Sequence, residues 1–125
     1  MIHEEICTYE VAKLAKEKGF DVHPPMYFHS GVKSDLREVG SKGANPNNIP
    51  HSPHISCPTQ TQLQRWLREE TRIDIAIVPS ISMGYSYIVY DILDRDNRVV
   101  RTKVGYKTYE LALEDALKYA LENLV

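Results

Sequence analysis

Three stretches of the chain space their apolar residues at the period of an amphipathic helix. They cover residues 8–19, 59–71 and 108–124. The last is the most regular, because its apolar residues recur at every third or fourth position over four turns. The apolar face of this third stretch consists of Leu113, Ala116, Leu117, Ala120, Leu121 and Leu124.

Each predicted helix begins at a threonine, whose hydroxyl can accept a hydrogen bond from an unpaired backbone N–H of the first turn. These residues are Thr8, Thr59 and Thr108. Gln62 follows Thr59 at the spacing of a capping box. Gly19 followed by Phe20 predicts a left-handed end to the first helix, with the phenylalanine folded back onto the last turn.

Three stretches alternate or are rich in β-branched and aromatic residues, which is typical of strands. They are IDIAIVP (73–79), YSYIVYDIL (85–93) and VVRTKVGYK (99–107), joined by connections of hairpin length. In the third stretch the period of two predicts Val100, Thr102, Val104 and Tyr106 on the core face. It predicts Arg101, Lys103 and Lys107 on the outer face.

These elements predict an α+β fold: a three-stranded antiparallel meander packed on helices 59–71 and 108–124, with helix 8–19 docked beside them. The 125 residues suit one domain over 1–125, divided into an N-terminal helix (1–20), a long loop (21–58) and an α-β-β-β-α core (59–125). An alternative in which residues 1–20 pack on a second chain, forming a dimer, stays open.

The loop at 21–58 is rich in residues that favour turns, among them Pro24, Pro25, Pro46, Pro50 and Pro53. Only MYFHS (26–30) resembles a strand. A segment of this length without regular structure is unusual in a compact domain, so its order, above all over 30–57, is left open.

Charge and composition exclude several classes of protein. Fifteen basic and seventeen acidic residues give a net charge of -2, so no global basic field attracts nucleic acid or an anionic membrane. The start of the chain lacks the features of a secretory signal, and no apolar run is long enough to span a membrane. Two distant cysteines, Cys7 and Cys57, are then expected as reduced thiols in the cytoplasm.

Three blocks, AKLAKEKGF, PTQTQLQRWLRE and GYKTYELALEDALKYALENLV, together resemble a family of small proteins encoded by phages, prophages and mobile elements. They cover about half of the chain. The family has no established activity and no assigned catalytic residues, so the resemblance implies a genetic setting only. Residues 59–125 also share the α-β-β-β-α order of double-stranded-RNA-binding domains. The phosphate-gripping lysines of those domains are replaced here by KTYELALED.

The motif HSPHISC sets His51, His54 and Cys57 three residues apart, and these residue types bind zinc. A structural site needs a fourth ligand, for which His29, His23 or Cys7 are the candidates. Pro53 and Pro58 restrict the backbone, and the chain is long enough to fold without metal. We therefore favour an ordinary loop and expect no cofactor, with a metal-binding loop as a weak alternative.

No catalytic constellation is recognisable. Pairs such as Cys57 with His54 lie in no known nucleophile signature, although a thiol just before a helix can have a lowered pKa. Trp66, spaced with Leu63 and Leu67, is interpreted as core rather than as an interface residue. The sequence therefore favours a small accessory protein that binds a protein partner and is not an enzyme.

The alternative is a nucleic-acid-binding protein. It would use Arg101, Lys103 and Lys107, with Tyr85 and Tyr87 from the neighbouring strand stacking on bases. Residues 59–125 carry nine basic and ten acidic residues, a balance that disfavours strong phosphate binding.

Overall fold

The computed structural model describes residues 4–40, 43–49, 51–92 and 98–125. These residues form two compact units, 1–63 and 64–125, and the division falls inside the second helix. The prediction of a single domain over 1–125 stays a prediction. No helix in the described ranges has the length and apolar character needed to cross a lipid bilayer.

The first unit contains a sheet that the sequence did not reveal. Its strands are β1 (Met26–Phe28), β2 (Leu36–Glu38) and β3 (Ile55–Cys57), antiparallel in the order β2-β1-β3. Helix α1 (Tyr9–Glu17) packs on β3. Ala12 of this helix meets Phe28, Ile55 and Cys57 in a buried cluster. The buried face of α1 therefore packs against residues of the same chain. The strand-like stretch MYFHS contains β1, whereas β2 and β3 lie in the part of residues 21–58 that was interpreted as loop.

The ends of α1 are as predicted. The Thr8 hydroxyl accepts a hydrogen bond from the Val11 N–H at 3.3 Å. At the other end, Gly19 has φ +91°, and the Phe20 N–H donates to the Ala15 carbonyl at 2.9 Å. This is the Schellman arrangement, and it buries the Phe20 ring.

Two asparagines give the long segment its order. The Asn47 side chain accepts from the Ser56 N–H at 2.9 Å and donates to the Phe20 carbonyl at 3.0 Å. The Asn45 side chain accepts from the Ser56 hydroxyl at 2.9 Å and donates to the Asp21 carbonyl at 2.6 Å. These side chains take the place of a fourth strand beside β3, because they satisfy backbone groups that would otherwise be buried and unpaired.

The second helix has the predicted capping box. The Gln62 N–H donates to the Thr59 hydroxyl at 3.1 Å, and the Thr59 N–H donates to the Gln62 side chain at 3.0 Å. Helix α2 (Gln60–Trp66) continues as a π-helical turn over Leu67–Thr71, and Arg72 ends it at φ +60°. Trp66 and Leu67 are buried, so the prediction that Trp66 belongs to the core is confirmed.

The second unit contains the predicted meander. Its antiparallel strands are β4 (Ile73–Ser80), β5 (Gly84–Asp91) and β6 (Arg98–Tyr106), in the order β4-β5-β6. Helix α3 (Tyr109–Asn123) begins after the Thr108 cap and packs on all three strands. The α+β class with antiparallel sheets is therefore confirmed. The single-meander architecture was incomplete, because the chain has two three-stranded sheets.

The pairing of β6 with β5 reverses the faces predicted for Arg101, Thr102 and Lys103. Thr102 lies opposite Ile88, whereas Arg101 and Lys103 lie opposite the buried Val89 and Tyr87. Directly opposite residues share a face of a sheet. Arg101 and Lys103 therefore lie on the face that carries α3, not on the outer face, so the faces predicted for these residues were wrong. Tyr106 lies opposite Tyr85 on the α3 face, as predicted.

Candidate functional site

The candidate site is the face of the β4-β5-β6 sheet that points away from α3. We call it the open face. From the strand registers it consists of Asp74, Ala76, Val78, Ser86, Ile88, Tyr90, Val99 and Thr102. We add Val104, because it follows Lys103 of the α3 face and successive residues of a strand alternate between faces.

The centre of the open face carries no charge. Ala76, Ile88 and Thr102 form one row across the three strands. Val78 and Val104 lie towards one end, and they are 41% and 52% exposed. Side chains of this type normally point into a core when they occupy alternate positions of a strand. Here they face outward, so the sheet has an apolar surface on both sides.

The one carboxylate of the open face lies at its margin and is accompanied by a cation. Asp74 lies 3.8 Å from the Arg68 guanidinium. Both groups are partly exposed, so we attribute little stability to this pair. Its relevance is that the carboxylate of Asp74 has a neighbouring cation and would not meet a neighbouring protein as an isolated charge.

The turn between β4 and β5 extends this apolar surface. Ile81 is fully exposed and Met83 is 52% exposed. Gly84, which follows, has φ +69°, and a Cβ there would lie 2.3 Å from the Tyr106 carbonyl oxygen. The turn is thus fixed by a close backbone approach that only glycine permits. Because the Ile81 side chain is fully exposed, it adds no buried apolar surface to the part of the chain that the structure describes.

Arg101 and Lys103 are the residues that the nucleic-acid hypothesis assigns to phosphate contacts. Both make polar contacts with other residues of the second unit. Arg101 donates from Nε to the Tyr87 hydroxyl at 2.8 Å, and its guanidinium lies 4.6 Å from the centre of the Tyr119 ring. The hydrogen bond with Tyr87 raises the pKa of Arg101 above its usual value. Lys103 lies 3.5 Å from the Asp115 carboxylate.

These side chains border a polar cavity of about 200 Å³. Lys118 and Glu122, which are 3.8 Å apart, lie on its other side. Three cations and two carboxylates therefore line one cavity. An incoming phosphate would compete with carboxylates that are already in place, so the cavity is poorly suited to phosphate.

The predicted stacking residues divide between the core and the surface. Tyr87 is 1% exposed, so its ring cannot stack on a base. Tyr85 is half-buried and makes an edge contact with the Tyr109 ring. Lys107 is exposed and follows the end of β6. Tyr85, Tyr87, Arg101 and Lys103 thus share the face that carries α3. The core position of Tyr87 leaves that face without one of the two rings that the nucleic-acid hypothesis needs.

Tyr106 is a titratable residue that the sequence did not single out. A bulge at Gly105 places it on the α3 face opposite Tyr85, where its hydroxyl donates to the Asp115 carboxylate. Burial and, next, this hydrogen bond raise the pKa of Tyr106 well above its usual range. A glycine inside a strand pattern was the available signal for the bulge.

The residues of the HSPHISC motif lie apart. Cys57 is buried in β3, where its thiol donates to the Cys7 carbonyl at 3.4 Å. His51 is exposed and has a left-handed backbone, with φ +58°. Among the described residues, no three side chains of histidine, cysteine, aspartate or glutamate lie close enough together to hold a metal ion.

His54 instead belongs to a small aromatic cluster in the first unit. Its ring centre lies 4.6 Å from that of His29 and 5.3 Å from that of Tyr27. Its Nδ1 accepts a hydrogen bond from the Ser30 N–H at 2.8 Å. In a neutral ring this places the proton on Nε2, which becomes a donor rather than a metal ligand. The hydrogen bond therefore opposes metal binding through Nε2.

Comparison of the chain with protein-family models, with curated proteins and with solved structures finds no match. The resemblance to phage and mobile-element proteins thus stays a prediction, and the function has to be inferred from the surfaces themselves.

Proposed function

We propose that this chain is a binding module that acts through the open face, and that what it binds is another protein. The observation that supports this proposal is the charge-free centre of an exposed sheet face. Large apolar patches are rare on proteins that work alone, and they typically mark contact sites.

Binding rather than catalysis fits the surroundings of the candidate nucleophiles. Both cysteines are buried, and neither forms a disulfide. Cys57 donates to a backbone carbonyl and is covered by α1, so it is out of reach of a substrate. A catalytic thiol needs access and a neighbouring base.

The nucleic-acid alternative has less support. Lys103 is paired with the Asp115 carboxylate, Arg101 donates to the Tyr87 hydroxyl, and Tyr87 itself is in the core. It makes a separate prediction: affinity for oligonucleotides that falls steeply with salt and weakens on Lys103→Glu. Absence of oligonucleotide binding at low salt would eliminate it.

The proposed function can be tested by chemical cross-linking in cells that encode the protein, followed by mass spectrometry of the proteins that co-purify. Three forms are compared: wild type, Val104→Glu and Leu111→Glu. Leu111 is the matched control, because it is apolar and 54% exposed but lies on α3.

A carboxylate at position 104 would have to be desolvated in any complex that covers the open face. We therefore expect the cross-linked proteins to be lost with Val104→Glu and retained with Leu111→Glu. The same set of proteins for all three forms would refute the proposal.

A further inference from the structure

We infer that the open face binds a second copy of this chain, so that two β4-β5-β6 sheets pack face to face around a twofold axis. This inference rests on the proposed function and names its partner.

The charge pattern of the open face favours self-association. In a twofold interface the same surface occurs on both copies, so an unpaired charge near its centre would face the identical charge of the other copy and be repelled. The centre of this face has none, and the marginal Asp74 lies beside Arg68. A surface that recognises a partner of different sequence more often carries charges that fix orientation and exclude wrong partners.

The sizes of the side chains also fit interdigitation. Ile88, the largest residue of the central row, lies between Ala76 and Thr102. Sheets that pack face to face are about 10 Å apart and interleave large side chains with small ones. Ile88 of each copy can therefore project over the small neighbours of Ile88 in the other copy.

The area of the face is sufficient for a dimer of moderate affinity. Its strands are eight or nine residues long, and there are three of them. At about 4.8 Å per strand and 3.4 Å per residue, the face covers roughly 400 Å² in projection. The accessible surface of its side chains is larger, so two copies bury about 1,000 Å² or more, near the lower end for specific interfaces. Interfaces of this size are mostly weak or transient, so we expect half-dissociation in the micromolar range.

The free edges of the sheet favour stacking of faces over pairing of strands. Strand β4 carries Pro79, and the Ile75 carbonyl accepts from the Gln64 side chain at 2.9 Å. Strand β6 is interrupted by two irregularities and carries Arg98, Arg101 and Lys103. Proline, bulges and charges are the features that prevent edge-to-edge association.

The test is sedimentation equilibrium of the purified full chain between about 1 and 500 μM, a range chosen to bracket the expected half-dissociation. Wild type is expected to pass from the 14.3 kDa monomer to a dimer. Val104→Glu and, as a second variant, Thr102→Lys should raise the dissociation constant at least tenfold. Leu111→Glu should leave it unchanged. Thermal unfolding of each variant confirms that it is folded.

A wild type that stays monomeric at every concentration would overturn this inference, as would a dimer that is equally sensitive to Leu111→Glu and Val104→Glu. Neither result refutes the proposed function. If Val104→Glu still removes a different protein from the cross-linked set in cells, the open face binds that protein instead of a second copy. If wild type stays monomeric and Val104→Glu also leaves the cross-linked set unchanged, both proposals are overturned.

Discussion

The asparagine network of the first unit yields a quantitative prediction for Asn47→Ala. The substitution removes the acceptor for the Ser56 N–H and the donor to the Phe20 carbonyl. Ser56 and Phe20 are both buried, so water cannot readily replace the lost partners. A buried polar group left unpaired costs about 1–3 kcal/mol. The side chain regains about 1 kcal/mol of conformational entropy.

The expected loss in the free energy of unfolding is therefore about 2–4 kcal/mol, equivalent to a fall in Tm of roughly 10 °C for a chain of this size. Asn47→Asp retains an acceptor for Ser56 but loses the donor to Phe20, so its loss should be intermediate. Asn48→Ala is the control, because Asn48 is exposed in the same turn.

Urea unfolding measures the total loss for each variant, and amide hydrogen exchange at Ser56 locates it. Exchange at Ser56 should accelerate by about one and a half to three orders of magnitude in Asn47→Ala, since each 1.4 kcal/mol is a tenfold change in the opening equilibrium. If the losses in free energy of unfolding for Asn47→Ala and Asn48→Ala agree within about 0.5 kcal/mol, the asparagine network does not stabilise β3 and this prediction is refuted.

Three further predictions concern the ends of elements and the α3 face. Thr59→Ala should cost about 1 kcal/mol in urea unfolding, while the exposed Thr61→Ala should cost less than half of that; equal losses would contradict the capping box. Gly84→Ala should cost about 3 kcal/mol or more, because its Cβ would strike the Tyr106 carbonyl, whereas Gly19→Ala, with no atom within 4 Å, should cost about 1–2 kcal/mol. The raised pKa of Tyr106 means that the folded state retains the hydroxyl proton longer than the unfolded state. The contribution of Tyr106 to the free energy of unfolding is thus complete below the unfolded pKa of about 10, and it declines as the pH rises above that value. Tyr106→Phe should therefore make the free energy of unfolding fall less steeply between pH 10 and 12. An unchanged slope would contradict the assigned environment of Tyr106.

Features that depend on a few neighbouring residues could be predicted from the sequence. The caps at Thr8, Thr59 and Thr108 involve residues three positions apart, and all three form. The end of α1 at Gly19 likewise depends on a local backbone preference. The spacing of Trp66 with Leu63 and Leu67 also predicted that Trp66 is in the core, because residues on adjacent turns of a helix share one face.

Features that depend on distant residues could not be predicted. The strand β1 lies in the strand-like stretch MYFHS, but β2 and β3 have only three residues each, too few for a period to be detected. Their stability comes from α1 and from side-chain bonds such as that of Asn47 to Ser56, nine residues away. In β6, the irregularity at Gly105 shifts the alternation by one residue, which moves every subsequent side chain to the other face.

The candidate site was misplaced for a different reason, because the buried face of β6 was assigned from alternation within the strand alone. Alternation alone predicted Thr102 and Val104 on the core side and Arg101 and Lys103 on the outside. The pairing with β5 places Thr102 opposite Ile88 on the open face. Which face is buried is decided by α3, which covers Tyr87 and Val89. The sequence of β6 by itself does not contain that information.

The central claim is that the open face is a protein contact surface, and site-specific photo-cross-linking in living cells tests it most directly. A photoreactive benzoylphenylalanine is introduced in place of Val104 or, as the control, in place of Leu111. We predict protein adducts from position 104, to a second copy or to another protein, and few or none from position 111. No adduct from position 104, or equal yields from both positions, would contradict the claim.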